Sequence, residues 1–426
     1  MPVMTEIVIP FNGQAQPIRI QDHNLAEVLS PRSIMPVPCL DSEINRALSH
    51  PLGIQSLKRQ LKKTDRILIL CDDNTRKTPA RAIIPSLLSH LNAAGIPDNR
   101  ISCIVALGTH RYMTPQELED KVGGEVCRRI SVFNHEWRNP EALVDLGYSR
   151  RGTPILVNRA ALEADVLIGI GAVVPHHIPG FSGSSKIVQP GICGAKTTAE
   201  THLLACSGGG DSFLGLEDNP VRQDMEDMAD RVNLRYVFNA VLNSEGSVVG
   251  AFFGERRAAF KQAVGLAREI YGVDYHETPD IVIANSYPCD LDFWQSHKSM
   301  YPAQRMIKEG GTIIICTPAP EGVSPVHTDL LNFTNWSSVE IKAAYRRGDL
   351  ANGVATALAT AWAMVREKAD IITFSPGISP EDKEKLGHTH APSIARALSE
   401  ALRRQGQDAR ITVLTHAPDT LPLKAF

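Results

Sequence analysis

The stretch 175–191, PHHIPGFSGSSKIVQPG, sets His176 and His177 ahead of a Gly/Ser loop that ends in Lys186. Imidazoles titrate near neutral pH and suit proton transfer. A lysine beside glycines and serines suits a phosphate or, once desolvated, attack on an electrophilic cofactor. The spacing is GxxGxxK, whereas a nucleotide-triphosphate loop needs GxxxxGK[ST], so that function is weakly supported. Residues 182–185 can still wrap a single phosphate with backbone N–H groups, which makes Ser182 a candidate ligand-binding residue. Gly108-Thr109-His110-Arg111 offers a second acid/base candidate in His110. Asp72-Asp73-Asn74-Thr75-Arg76-Lys77-Thr78-Pro79 offers an anion site, because Thr78 reads as an N-cap and Pro79 as a first helical residue, with Arg76 beside them. His202 follows Lys186 by sixteen residues in a helical-looking stretch. So many imidazoles suggest a metal, yet their spacings match no HExxH or Cys/His zinc pattern.

These groups need strands to carry them. Val- and Ile-rich runs at 5–10, 16–20, 66–72, 101–107, 130–134, 153–158, 165–171, 280–285, 311–317, 370–375 and 410–415 alternate with helical periodicity at 79–94, 114–122, 221–231, 256–271, 299–309, 350–367 and 393–405. That alternation predicts an α/β fold with largely parallel sheets covered on both faces. The pair 236–243 and 247–253, joined by Asn243-Ser244-Glu245-Gly246, reads as an antiparallel hairpin. A boundary near 272–279 divides the chain into an N-terminal unit, 1–272, and a C-terminal unit, 273–426, whose last residues are free to pack back on the first. Arg76, His110 and the 175–186 loop each follow a strand, where ligands collect in open α/β sheets. The long polar segments 206–220 and 286–298 are further candidates for function.

The chain has 426 residues, 43% hydrophobic and 21% charged, and a formal charge of −3. That length accommodates more than one core. The charge balance gives no case for nucleic acid or an anionic membrane, and Arg346–Arg347 reads as a solvated face. The eight cysteines form no CxxC pair, and several lie in apolar runs, so they read as reduced thiols of a cytoplasmic protein. No apolar run is long enough to span a membrane.

In order along the chain, DDNTR around Arg76, GTHR around His110, PHHIPGFSGSSK through His176 and Lys186, His202, DNPVR at 218–222 and WQSHK at 294–298 resemble the nickel-dependent lactate racemase family. The resemblance covers most of the chain. It implies two α/β domains with a nickel pincer nucleotide in the cleft between them. Lys186 is then expected to attach the cofactor covalently, His202 to bind nickel, and His110 and His176 to act as acid and base on opposite faces of the substrate. Arg76 and Lys298 are expected to hold the substrate carboxylate, with Gln295 and Trp294 in the same contact zone. Asp73 and Thr75 support the cofactor or Arg76, and His177 is read as structural.

The implied activity is racemisation or epimerisation at C2 of a 2-hydroxy acid through a bound 2-keto acid. Removing the C2 proton beside a carboxylate would create a high-energy carbanion; a hydride acceptor avoids it and leaves the histidines to manage the hydroxyl proton. The implied partners are the substrate and the enzymes that make the pincer cofactor, with a homo-oligomer left open. Ser185 stands where the family often has arginine, and Trp294 where lactate-acting members tend to have tyrosine. The tryptophan segment of those members is not recognisable at 346–362. A larger or more polar 2-hydroxy acid, including a sugar acid, is therefore expected as much as lactate. Two alternatives from other classes are a zinc-type hydrolase using the same histidines and a noncatalytic sugar-acid-binding protein.

Overall fold

Each of two sheets is built around short strands whose side chains are buried on both faces. The structure, a computed structural model, describes residues 3–207 and 212–425. In the first sheet the order is Val248–Glu255, Leu234–Leu242, Val166–Ala172, Ile67–Cys71, Ile101–Val105 and Ser131–Asn134. All neighbours are parallel except the Val248–Glu255/Leu234–Leu242 pair, which is the expected hairpin. Every residue of Ile67–Cys71 and of Val166–Ala172 is buried, the pattern of a parallel sheet covered by helices on both sides.

The second sheet runs Thr389–Ala391, Asp370–Phe374, Thr312–Cys316, Ile281–Asn285, Ile411–Leu414 and Leu25–Leu29, all parallel. Its last strand corrects the expectation that the first 272 residues form one unit. Leu25–Leu29 pairs with Ile411–Leu414, and the hairpin Met4–Phe11/Gln14–Gln21 packs Ile7, Ile9, Ile18 and Ile20 against Ile281, Ile283 and Ile411. The physical reason is alternation: the isoleucines of the hairpin share one face, and the second sheet has the apolar surface that buries it. At the other end, Gly272–Tyr275 pairs with Leu421–Lys424, and Leu421 packs with Phe181 and Phe260 of the first domain.

In the first sheet the chain leaves Ile67–Cys71 toward Ile101–Val105 on one side, then returns to place Val166–Ala172 on the other. In the second, Ile281–Asn285 is flanked in the same way by Thr312–Cys316 and Ile411–Leu414. Each reversal opens a crevice at the carboxyl ends of the strands, where successive loops diverge. One cavity is lined from both: Asp73, Arg76 and His176 from the first set of loops, and Gln295 and Lys298 from the second. No helix among the described residues is long and apolar enough to cross a membrane. All eight cysteines are free thiols.

Several elements differ from the periodicity reading. Leu40–Ser49 and Ser338–Arg347 are full helices, Ala195–Ala205 extends the helical-looking stretch around His202, and Leu143–Tyr148 pairs with Pro154–Asn158. The helix after Arg76 begins at Ala80, with Pro79 at its cap and no side-chain cap. Thr78 does not cap it; its hydroxyl donates to Asp72, a buried carboxylate that also pairs with Lys121 at 2.9 Å. A buried carboxylate left without donors costs more than an uncapped helix end, so Asp72 takes the hydroxyl. Of the polar segment 206–220, residues 208–211 lie outside the described residues.

Candidate active site

His110 stands on the turn that follows Ile101–Val105, and its orientation is set from behind. Its Nδ1 lies 2.6 Å from Asp73 Oδ2 at the end of the neighbouring strand. The other carboxylate oxygen accepts from the Thr75 hydroxyl at 2.6 Å and the Thr75 N–H at 3.2 Å. Burial pushes the Asp73 carboxyl up, but the His110 charge and hydrogen bond, with Arg76 and Thr75, outweigh it and hold it well below the ordinary carboxylate range. Asp73 is therefore a fixed anion that orients the ring. The Nε2 edge remains for the cavity, 3.3 Å from the Gln295 amide nitrogen.

His176 is prepared differently. Its Nδ1 accepts the Ile178 N–H at 3.2 Å, which leaves the neutral ring with its proton on Nε2. Burial first, then the positive Lys186, depress its pKa well below the imidazole norm. The two histidines thus meet different surroundings, one ring bonded to a carboxylate and the other buried beside cations. Replacing Asp73 by Asn keeps the shape but removes the anion. D73N is expected to cost about 10²-fold or more in turnover; full turnover in the folded variant would show that the carboxylate does not orient His110.

The loop carrying His176 and Lys186 is clamped rather than open. Gly183 adopts φ 81°, and a Cβ there would lie 2.6 Å from Val173 Cγ2, so only glycine fits. Buried Asn239 accepts the Ser184 N–H at 3.2 Å. Arg222 donates to the carbonyls of Pro179, Gly183 and Phe181. Two of the four N–H groups of the expected phosphate wrap at residues 182–185 are accordingly committed within the protein. The N–H groups of Ser182 and Ser184 are spent on Val174 and Asn239, and the Ser182 hydroxyl donates to Ala172 O at 2.7 Å. Ser182 lines the cavity while its polar atoms hold the loop to the sheet. Asn239 and Arg222 carry no chemistry-bearing spacing of their own; a polar residue inside the apolar run Leu234–Leu242 was the available signal for the first.

Lys186, Arg76 and Lys298 line one cavity, and the Lys186 amine has no hydrogen bond or ion pair among the described residues. Burial, then the charges of Arg76, Lys298 and Arg222, push its ammonium well below the usual lysine range, which favours a nucleophilic neutral amine. Lys298 is lowered to about 8 by burial and by Arg76. Gln295 Oε1 accepts from Lys298 and, at 3.5 Å, from Arg76, so the two cations converge on one oxygen position. Asp292, raised to about 6 by burial, fixes Gln295 by accepting its N–H at 2.8 Å.

His202, on the helix Ala195–Ala205, reaches the same cavity and is pushed down to about 3 by burial and Lys186, which keeps its ring neutral as a ligand must be. A Cβ built on Gly171 in the cavity wall would meet only Asp72 Oδ2, at 3.6 Å, so the backbone there leaves room for a bound group. Surplus cations, an unpaired amine and a neutral imidazole fit an anionic, electrophilic, metal-bearing cofactor. Trp294 stacks on His327 at 4.2 Å and forms part of the wall. His177 stacks on Tyr301 at 3.8 Å and meets His297 edge-on at 5.1 Å, a packing position consistent with a structural part. Sequence reasoning passed over His297 and Tyr301, which lie one helical turn apart and are joined by a 2.9 Å hydrogen bond.

The fold and the cleft define a two-domain α/β enzyme with two histidines set in a cationic pocket. Residues 11–211 match the lactate racemase N-terminal domain and residues 274–419 the lactate racemase C-terminal domain. The chain belongs to the lactate racemase family, and it is an isomerase of the racemase type. Lactate racemase of Lactiplantibacillus plantarum is 28% identical over 428 residues, covering 98% of this chain and 99% of that protein. Lactate racemase of Thermoanaerobacterium thermosaccharolyticum is 29% identical over 323 residues, 75% of this chain and 76% of that one. The lactate racemase apoprotein structure from Thermoanaerobacterium thermosaccharolyticum superposes with a TM-score of 0.89 at 25% identity, covering 98% of this chain and all of that one. A Thermotoga maritima protein at 22% identity and a TM-score of 0.72, covering 92% of this chain and 100% of that one, shares the fold.

Proposed function

We propose that this racemase inverts C2 of a 2-hydroxy acid with a nickel pincer nucleotide attached at Lys186, and that it is a cytoplasmic enzyme matured by the pincer-synthesis enzymes. The observation that carries the reading is the meeting, in one cavity, of His110 and His176 with Lys186, His202 and the Arg76/Lys298 pair. When bound, the pincer nucleotide supplies a reversible hydride acceptor at nickel, anchored to the Lys186 amine and the His202 ring.

The chain's own residues do the rest. Arg76 and Lys298 hold the substrate carboxylate, the first as a planar fork and the second as a point charge, and Gln295 sets their spacing. His110 and His176 act as the acid/base pair, one taking the hydroxyl proton and the other returning a proton to the alkoxide of the other enantiomer. In reverse the roles exchange. Two bases are needed because the hydroxyl oxygen changes sides when C2 inverts. The walls formed by both domains exclude water from the 2-keto acid between the two half-reactions.

A zinc hydrolase takes three protein ligands, and among the described residues no three His, Cys, Asp or Glu side chains converge at metal-ligand spacing. A sugar-acid carrier needs no pair of bases. The test uses protein made together with the pincer-synthesis enzymes. Intact-mass spectrometry is expected to find a covalent adduct that Lys186→Ala abolishes. A substrate deuterated at C2 is expected to invert with its label kept, because the histidines exchange only the oxygen-bound proton with water. Solvent deuterium entering C2 in step with turnover would overturn the mechanism, and an unmodified chain in an active preparation would overturn the attachment.

A further inference from the structure

The helix Pro115–Val122 touches the loops that carry Arg76 and His110, and its start is fixed by a capping box between Thr114 and Glu117. Glu117 and Lys121, four residues apart, share one of its faces. Glu117 accepts from Asn74 Nδ2 at 3.1 Å and from both terminal nitrogens of Arg111, the residue after His110, at 2.9 and 2.7 Å. Lys121 reaches the 72–78 segment itself. Its ammonium donates to Arg76 O at 2.9 Å and to Thr78 O at 3.3 Å, and stands 2.9 Å from Asp72 Oδ1. The Lys121 side chain is only 7% exposed, and an ammonium is buried to that degree only where it is paired and hydrogen-bonded.

We propose that Lys121 is a positioning residue for the substrate's carboxylate anchor: it grips the Arg76 carbonyl and engages the Asp72 carboxylate, so that the Arg76 guanidinium is presented to the substrate. The proposal rests on the racemase reading above for the role of Arg76. Residues 72–79 form no helix or strand, so the position of Arg76 depends on such side-chain contacts. Its guanidinium takes a hydrogen bond to the Thr75 hydroxyl at 3.0 Å and one to Gln295 Oε1 at 3.5 Å. The two carboxylates nearest to it in sequence are engaged elsewhere, Asp72 with Lys121 and Asp73 with His110. Arg76 is thereby left for an incoming carboxylate.

Asp72 and Arg76 line the same cavity. Without Lys121 the Asp72 anion would be buried there uncompensated, and it would draw the guanidinium away from the substrate. Burial lowers the Lys121 pKa, but the Asp72 charge outweighs it and holds the ammonium above the ordinary lysine range. The grip therefore stays charged through the range in which Lys298 titrates.

Lys121→Met alone leaves a buried carboxylate unpaired and can fail to fold, so the deciding variant is the pair Asp72→Asn with Lys121→Met, which leaves neither charge orphaned. The cofactor-loaded protein is assayed with whichever of lactate, malate and gluconate it turns over fastest. The paired variant is expected to raise KM about tenfold while kcat changes by less than about threefold, the sign of lost substrate binding. In an Arg76→Ala background the same pair is expected to cost less than about twofold in kcat/KM, because the side chain it positions is gone. A purely structural role would give equal losses in both backgrounds. A second readout needs no cofactor: the crystal structure of the cofactor-free paired variant is expected to show the Arg76 guanidinium moved out of reach of Gln295 Oε1. Wild-type KM in the folded paired variant, equal losses in the two backgrounds, or an unmoved Arg76 overturns the role of Lys121 and leaves the anchor reading standing. Wild-type KM in Arg76→Ala overturns the anchor reading and this proposal with it. Turnover of none of the three acids would overturn the racemase reading, and the position of Arg76 in the cofactor-free variant would still decide the grip.

Discussion

His176→Asn and His110→Asn are each expected to lower racemisation by about 10²- to 10⁴-fold in both directions, the range that a positioned general acid or base contributes. Either enantiomer needs one ring to take the hydroxyl proton and the other to give one back, so a single loss blocks the full cycle whichever enantiomer is supplied. The two variants should differ in what survives. His176 is held neutral by burial among Lys186, Lys298 and Arg76, while His110 is paired with the Asp73 anion. Losing one leaves the half-reaction served by the other, so each variant should still convert one enantiomer, but not its mirror image, to bound 2-keto acid in a single turnover. Chiral chromatography of the product and a rapid-quench assay for keto acid with each enantiomer check this. Full steady-state activity in both variants would return the histidines to structural or ligand roles.

The residues that make this site were legible to different degrees. Strands Ile67–Cys71 and Val166–Ala172 were visible because burial on both faces forces an unbroken apolar run, and the polar residues after them marked the strand ends. Hence Arg76, His110, His176 and Lys186 were identified from local sequence, with Asp73 added by the family resemblance, and the structure brings them to one cavity with Gln295 and Lys298. Leu25–Leu29 was not visible, because a short edge strand owes its conformation to a partner almost four hundred residues away, Ile411–Leu414, rather than to its own pattern. The Thr78 cap failed because the competing partner, Asp72, is brought close only by the fold. Arg222 was seen as part of a motif, but its work, gripping three carbonyls of the 179–183 loop, needs the tertiary arrangement. Val354 and Leu358 were hidden in an alanine-rich helix whose cavity-facing side has no signature beyond hydrophobicity.

Losing either carboxylate anchor carries the second large effect, and it brings a pH signature. Arg76 comes from the first sheet's loops and Lys298 from the second's, so a carboxylate bound to both ties the domains together. Lys298→Ala is expected to lower kcat/KM by about 10- to 100-fold, the worth of a charge-assisted hydrogen bond. Arg76→Lys should also fall, since a point charge cannot reproduce the guanidinium fork. In the free enzyme the Lys298 pKa is lowered to about 8, chiefly by burial and then by Arg76, with Cys289, Asp292 and Asp73 opposing. The protonated form is the one that binds a carboxylate. Affinity is therefore complete below that pH and is lost as pH rises through it, so kcat/KM should fall on the alkaline side by up to about tenfold per pH unit. Saturating substrate holds the proton on Lys298, which moves the same limb of kcat to higher pH. Lys298→Arg, charged throughout the range, should remove the alkaline limb from kcat/KM even if its absolute value drops. A limb that persists unchanged in Lys298→Arg would assign the titration to another group and take the carboxylate away from Lys298.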